Sequence, residues 1–275
     1  MTPAAVVVDS AQNVRSDRLG IQRGRQRVGR GPRRAPRCGA GHHHQPSAGG
    51  ERPRPRCGAG IAAAVDELDA SDELRVGILT GARGVFSAGM DLKGFLRGES
   101  PAIEGRGICG ITQTPPRKPL IGAVEGWALA GGFELLLACD LVVAATTARF
   151  GVPEVKRSLV AAGGDAVHLP RRIPPANALE MLLTGDPLQA ERAAQIGLVN
   201  RVTEEGALAL AETIAANGPL VVAATKAVAQ QTVDWTRENM WAHQAAITGP
   251  VFASEDAKEG ATAFAEKRPP VWKGR

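Results

Sequence analysis

Gly126-Trp-Ala-Leu-Ala-Gly-Gly-Phe-Glu-Leu-Leu-Leu-Ala-Cys-Asp140 lies between two short apolar runs, Leu120–Val124 and Leu141–Ala144. The runs read as buried strands, and residues 132–139 as the helix between them. Strand, glycine pair, helix is an arrangement with chemical potential. The first amides of a helix have no internal partners, and the helix dipole favours negative charge beside them. Gly131 and Gly132 can therefore present N–H groups to an oxyanion, with Glu134 one turn in. The plainer reading is a helix start whose glycines allow close packing.

Working outward, Phe86-Ser-Ala-Gly-Met-Asp-Leu92 follows another strand, at 75–80. Further on come Phe150-Gly-Val-Pro-Glu154, Leu183-Thr-Gly-Asp186, Ala193-Ala-Gln-Ile-Gly-Leu-Val199 and Phe264-Ala-Glu-Lys-Arg268. From about Gly60 to the C-terminus, these motifs in this order resemble the enoyl-CoA hydratase/isomerase, or crotonase, family. The resemblance implies an α/β fold: a crotonase (ClpP-like) spiral of repeated ββα units with a C-terminal helical oligomerisation region. It implies an oxyanion hole formed by the Met90 and Gly131 backbone amides. It places the two catalytic carboxylates at Glu134 and Glu154, and substrate or coenzyme A contacts at Ala88, Asp91, Leu92, Gly132, Phe264 and Lys267. Two positions depart from the family pattern. Ala130 stands where many members have a third glycine, and Phe133 stands where a small residue is common.

Hydrating a 2-enoyl thioester needs a base on water for attack at C3 and an acid that protonates C2. Two carboxylates can serve both needs. Isomerases of the family typically keep one, so the pair favours a hydratase. Isomerisation or other acyl-CoA enolate chemistry is the alternative. The coenzyme A thioester is then the substrate, and no metal or redox cofactor is implied. The resemblance further implies a homotrimer or dimer of trimers built through the helical tail.

Composition sets outer limits. The chain has 275 residues and 44% apolar content, enough for a sizeable core. No apolar run is long enough to span a bilayer and no signal-peptide pattern opens the chain, so a soluble cytoplasmic protein is expected. Cys38, Cys57, Cys109 and Cys139 fit no metal or disulfide spacing. Of the 33 bases and 28 acids, residues 1–60 hold twelve Arg, no Lys and three acids, so the rest carries 21 bases against 25 acids. The basic balance belongs to the first fifth of the chain.

Residues 1–59 therefore stand apart from a core at 60–203 and a helical region at 204–275. Arg, Gly and Pro dominate the first segment, aromatic residues are absent, and only Val6-Val-Val8 is strand-like. Disorder is the compositional expectation. An Arg-rich arm for nucleic acid is the alternative, and His42-His-His44 reads as a solvated tract. A third reading uses the genetic code. Shifting the codons of residues 31–57 forward by one base turns His42, His43 and His44 into Ile or Thr and Gln45 into Asn or Ser. Permitted choices elsewhere give V-L-V-E-R-R-G-V-V-L-V-I-T-I-N-R-P-x-x-x-N-A, the opening strand and turn the family resemblance leads one to expect. An out-of-frame segment from about 31 to 58 follows, and with it a core lacking its first strand, which would leave an inactive product.

In the body of the chain, residues 61–68 read as a helix and 99–119 as a mobile loop beside the site. Leu159-Val-Ala-Ala-Gly-Gly164 is a glycine turn before a helix opening at Asp165 and flanking the active-site wall. His168 is expected to be structural, and Arg171 and Arg172 to face solvent, with coenzyme A phosphates as the alternative. Helices follow at 176–183, 190–196, 207–216, 220–233 and 238–247, with a strand at 198–202. Ser254 opens a last helix with Glu255 and Asp256 in its first turn.

Overall fold

The computed structural model describes residues 4–9, 14–17, 55–90 and 92–275. In chain order the elements are β1 (Ala4–Asp9), β2 (Val14–Asp17), α1 (Pro55–Ala70), β3 (Leu74–Thr80), α2 (Leu92–Leu96), β4 (Ala102–Ile103), β5 (Gly107–Ile108), β6 (Leu120–Val124), β7 (Trp127–Leu129), α3 (Gly131–Leu137), β8 (Leu141–Ala144) and β9 (Arg149–Gly151). A 3-10 turn at Pro153–Arg157 leads to α4 (Asp165–Arg172), α5 (Pro175–Thr184), β10 (Leu188–Gln189), α6 (Ala190–Gln195) and β11 (Arg201–Val202). The tail is α7 (Leu208–Ala215), α8 (Pro219–Gln231), α9 (Met240–Phe252) and α10 (Glu255–Glu266).

The main sheet runs β11-β8-β6-β3-β1-β2, parallel throughout except for the β1–β2 pair. A second sheet, β10-β9-β7, lies beside it in the chain path. β6 enters the main sheet, β7 the second sheet, and α3 carries the chain back to β8. The path then repeats through β9 and the helices after it. This is the expected ββα spiral. The strands are apolar and short because parallel strands are covered on both faces. Alternate side chains of β3 go to opposite sides. Val76 and Ile78 pack with Ala207, Ala211 and Ala215 of the α7 segment, and Leu79 packs with Leu68 of α1 and the larger core.

The N-terminal segment differs from expectation. Two strands fall within residues 1–59, and α1 starts at Pro55. β1 pairs in parallel with β3, from Ala5↔Val76 to Asp9↔Thr80, so β3 has a neighbour on that side. The idea of a core lacking this strand is corrected accordingly. The reason is local: the Val6-Val-Val8 run has the β-branched character that a pleated ladder favours, and segment-wide composition conceals it. Residues 31–54, and with them the codon-shift reading, Cys38 and His42–His44, lie outside the described residues.

Other expectations shift less. Residues 99–119 carry the β4–β5 hairpin, and Cys109 and Ile111 are fully buried, so this stretch is packed structure. α7 seals one face of the main sheet, which joins the start of the helical region to the core. Ser254 caps α10 as expected, accepting the Ala257 amide at 3.0 Å. No single helix among the described residues is long and apolar enough to cross a membrane.

Candidate active site

All seven residues of α3 are buried, so the helix is fixed from every side. Phe133 points into the core, its ring centroid 6.4 Å from that of Phe150, and does not narrow the site. At the far end Arg172 donates to the Cys139 carbonyl at 2.7 Å and the Asp140 carbonyl at 3.3 Å. The expectation of a solvent-facing Arg172 is therefore corrected: it satisfies carbonyls left over just beyond the C-terminal end of α3. Asp140 also accepts the Leu120 amide and pairs with Lys226 of α8 at 2.7 Å, which ties the tail to this end of the helix.

The front end of α3 is a tight joint. The Ala130 amide donates to the Gly151 carbonyl at 3.1 Å, and the Ala130 carbonyl accepts the amides of Phe133 and Glu134 at 2.7 and 3.0 Å. Ala130 sits at φ 52°, ψ −132°, a conformation strained for a residue with a Cβ. Beside it, Ser87 stitches the 86–90 segment to β7. Its amide donates to Trp127 O at 2.8 Å, its carbonyl accepts the Leu129 amide at 2.9 Å, and its Oγ accepts the Gly89 amide at 3.3 Å. Gly132 makes room for this: a Cβ built there would lie 2.5 Å from Ser87 Cβ.

Among the described residues, the amides of Met90 and Gly131 donate to nothing. A Cβ placed on Gly131 would lie 3.8 Å from Met90 N, 3.7 Å from Glu134 Oε2 and 4.0 Å from Ile108 Cδ1. Two unused amides, a carboxyl and an apolar wall thus border one spot. Amides without an acceptor can donate to an anion, and a carboxyl beside them can exchange a proton with it.

Glu134 is only 4% exposed. Its Oε1 accepts the Gly163 amide at 2.5 Å, and the amides of Asp165 and Gly164 also face its carboxyl. Burial pushes its pKa up to about 7, with the Gly163 amide opposing and the charge of Glu154 adding. Glu154 is the second residue of the 3-10 turn, and its Oε2 is buried without a hydrogen-bond partner among the described residues. Burial raises its pKa too, against its own backbone amide and Arg157. Two carboxyls with raised proton affinity, one acting on the other, can serve acid–base chemistry.

The remaining sequence-derived residues divide. Ala88 and Met90 are half-buried beside the pocket. Asp91 lies outside the described residues, and Leu92 opens α2. Phe264 is 87% exposed near the end of α10, and Lys267 is that helix's left-handed C-cap. Neither is brought to Glu134 by any bond described here. His168 is half-buried next to Gly164, in keeping with a structural role. Sequence reasoning missed Ile108 and the carboxyl of Asp165, and it gave the Gly163–Gly164 turn a wall but no bond. A Cβ on Gly163 would lie 2.2 Å from Ile108 Cδ1 and 2.5 Å from Glu134 Oε2, so any side chain there would have to push the Ile108 tip and the Glu134 carboxyl aside.

The ββα spiral followed by a helical tail is the fold class of this chain. A model of the enoyl-CoA hydratase/isomerase family matches residues 55–275, and the chain belongs to that family. A carnitinyl-CoA dehydratase from Citrobacter koseri is 43% identical over 216 residues, 74% of this chain and 83% of that one. Among solved structures, an enoyl-CoA hydratase from Mycobacterium tuberculosis superposes with a TM-score of 0.79 at 56% identity, covering 81% of this chain and 90% of that one. An enoyl-CoA hydratase from Mycobacterium marinum gives the same figures.

Proposed function

We propose that this chain is an acyl-CoA hydro-lyase that adds water across the 2,3 double bond of a 2-enoyl-CoA. The observation that carries this reading is the convergence of the Met90 and Gly131 amides with the Glu134 carboxyl, and Glu154 close enough to act on it electrostatically. The two amides hold the thioester oxygen as negative charge develops on it. One glutamate takes a proton from water as oxygen bonds to C3. The other gives a proton to C2 as the enolate collapses. Isomerisation needs only one group to move a proton between carbons, so a second carboxyl acting on Glu134 supports hydration. Dehydration of a 3-hydroxyacyl-CoA is the same chemistry run backwards. The dehydratase name carried by relatives from Citrobacter and Salmonella makes carnitinyl-CoA a substrate to include in the assay.

The thioester is the substrate in this scheme, and the chemistry calls on no metal or redox group. We further infer assembly into a homotrimer or dimer of trimers. Trp241, Phe252 and Phe264 of the tail, 66%, 80% and 87% exposed, support a surface that packs against another copy. The test of the catalytic reading is a pair of variants. Glu134→Gln and Glu154→Gln are each expected to slow hydration by roughly a hundredfold or more. Near-normal turnover in either would remove that residue from the mechanism.

A further inference from the structure

One side chain beside the site has no part in the scheme above. Ile108 is the last residue of β5, and it is half-buried while Cys109 and Ile111 after it are fully buried. Its δ-methyl carbon lies 4.0 Å from a Cβ built on Gly131 and 2.2 Å from one built on Gly163. The Glu134 carboxyl lies against the same two glycines, with Oε2 3.7 Å and 2.5 Å from those points. The methyl tip and the carboxyl are therefore neighbours, between the front of α3 and the turn that leads into α4.

The hairpin holds that tip in place. Gly107, Cys109 and Gly110 have φ of 75°, 50° and 73°. Glycine takes such angles freely, whereas Cys109 does so against its own Cβ. The turn sends Cys109 into the core and leaves Ile108 on the side of the site. The Ile108 amide donates to Thr112 Oγ1 at 2.9 Å, and the Cys109 amide to the Pro101 carbonyl at 3.0 Å. Arg106 grips Asp66 of α1 through both terminal nitrogens, at 2.9 and 2.8 Å. Gly110 packs on Ala62, whose Cβ is 2.7 Å from a Cβ built on the glycine. An aliphatic tip fixed this firmly keeps water from the oxygen beside it, and a carboxyl covered in this way favours its neutral form.

The other groups facing Glu134 work in both directions. α3 itself carries no other charge. Glu154 of the 3-10 turn and Asp165 of α4 are acidic and oppose ionisation. The amides of Gly163, Gly164 and Asp165 favour it. Further along α4, His168 sits beside Gly164 and Arg172 is engaged with the Cys139 and Asp140 carbonyls. Burial outweighs all of these. We propose that Ile108 is a positioning residue that acts through Glu134, its δ-methyl group closing the carboxyl off from water. The catalytic consequence rests on the hydratase reading above: a carboxyl shielded in this way can both take and give a proton near neutral pH. The hairpin supplies the shield and the Gly163 turn the hydrogen bond, so two separate segments set the strength of one group.

The test is Ile108→Thr in the full-length chain, which removes the δ-methyl group, keeps the β-branch suited to a strand and introduces a hydroxyl. Ile108→Leu, which returns an aliphatic tip, is its companion. Carbon NMR titration of isotope-labelled glutamate carboxyls reads Glu134 directly, its resonance being the one lost in Glu134→Gln. The midpoint, about 7 in the wild type, should fall by about one pH unit in Ile108→Thr and stay within about 0.3 in Ile108→Leu. In the pH profile of kcat/KM for hydration, the limb that titrates near this midpoint should move by the same amount. An unmoved midpoint in Ile108→Thr would overturn the proposal. So would an equal fall in both variants, since a disturbed hairpin and not the lost cover would then be responsible. A shifted midpoint with a fixed kcat/KM profile would overturn the catalytic role. A wild type that hydrates no 2-enoyl-CoA would overturn the hydratase reading, and the titration, which needs no turnover, would still decide whether Ile108 shields Glu134.

Discussion

Replacing Glu134 by Gln should make the protein more stable and nearly inactive at the same time. In the unfolded chain this carboxyl ionises near 4.5, and in the fold near 7. Each pH unit of difference corresponds to about 1.4 kcal/mol, so the ionised Glu134 costs the fold about 3 kcal/mol once the pH is well above 7. The sign follows from proton binding. Between the two values the folded state holds the proton that the unfolded chain has released, so stability falls as pH rises. Below 4.5 both states are protonated and the cost vanishes. Gln mimics the protonated form and can still accept the Gly163 amide. It should therefore gain about 3 kcal/mol over wild type at alkaline pH, or about 6–12 °C in Tm, and little or nothing at about pH 4.5. Urea or thermal unfolding of both proteins across this range reads the difference directly. A Gln variant no more stable than wild type at alkaline pH would show that Glu134 is not held in a charge-averse pocket, and the acid–base reasoning would lose its basis.

Other outcomes follow from the same geometry. Gly163→Ala should displace the Glu134 carboxyl and Ile108 and cut kcat by about a hundredfold with little effect on KM, since catalytic groups tolerate little misplacement; steady-state kinetics checks it. Ala130→Gly should relieve the strained joint at the front of α3 and raise stability by about 1 kcal/mol, measured by urea unfolding. Phe133→Ala should open a cavity beside Phe150 and cost about 3–5 kcal/mol, again by unfolding, because the ring is fully buried. Lys226→Met should loosen the tail by removing the partner of Asp140 and the donor to the Pro116 and Lys118 carbonyls. It is expected to cost about 3 kcal/mol, visible as a lowered Tm.

What could be read from the sequence depended on length and contrast. β6, α3 and β8 were legible because each is a clean apolar run bounded by glycine or acid. The α10 cap was legible from Ser254 and two acids. β7, β9 and β10 were not, since two or three residues carry no periodicity, and yet they make the second sheet. β1 was hidden by the arginine and proline around it. Glu134 and Glu154 came from motif order, and in the fold the charge of Glu154 acts on Glu134. Asp165 escaped because an Asp at a helix start is the most ordinary of signals; only its burial and missing bonds set it apart. Arg172 looked like a surface base because nothing local announces a tertiary contact with carbonyls more than thirty positions earlier.

The central claim is that the pocket formed by Met90, Gly131, Glu134 and Glu154 hydrates an acyl-CoA double bond. The direct measurement is to incubate the purified chain with 2-enoyl-CoA and with 3-enoyl-CoA and to identify the products by mass and chromatography. The account predicts 3-hydroxyacyl-CoA from the 2-enoyl substrate, with formation lost in Glu134→Gln and in Glu154→Gln. Conversion of 3-enoyl-CoA to 2-enoyl-CoA with no hydration would contradict it and leave a single-base isomerase in its place.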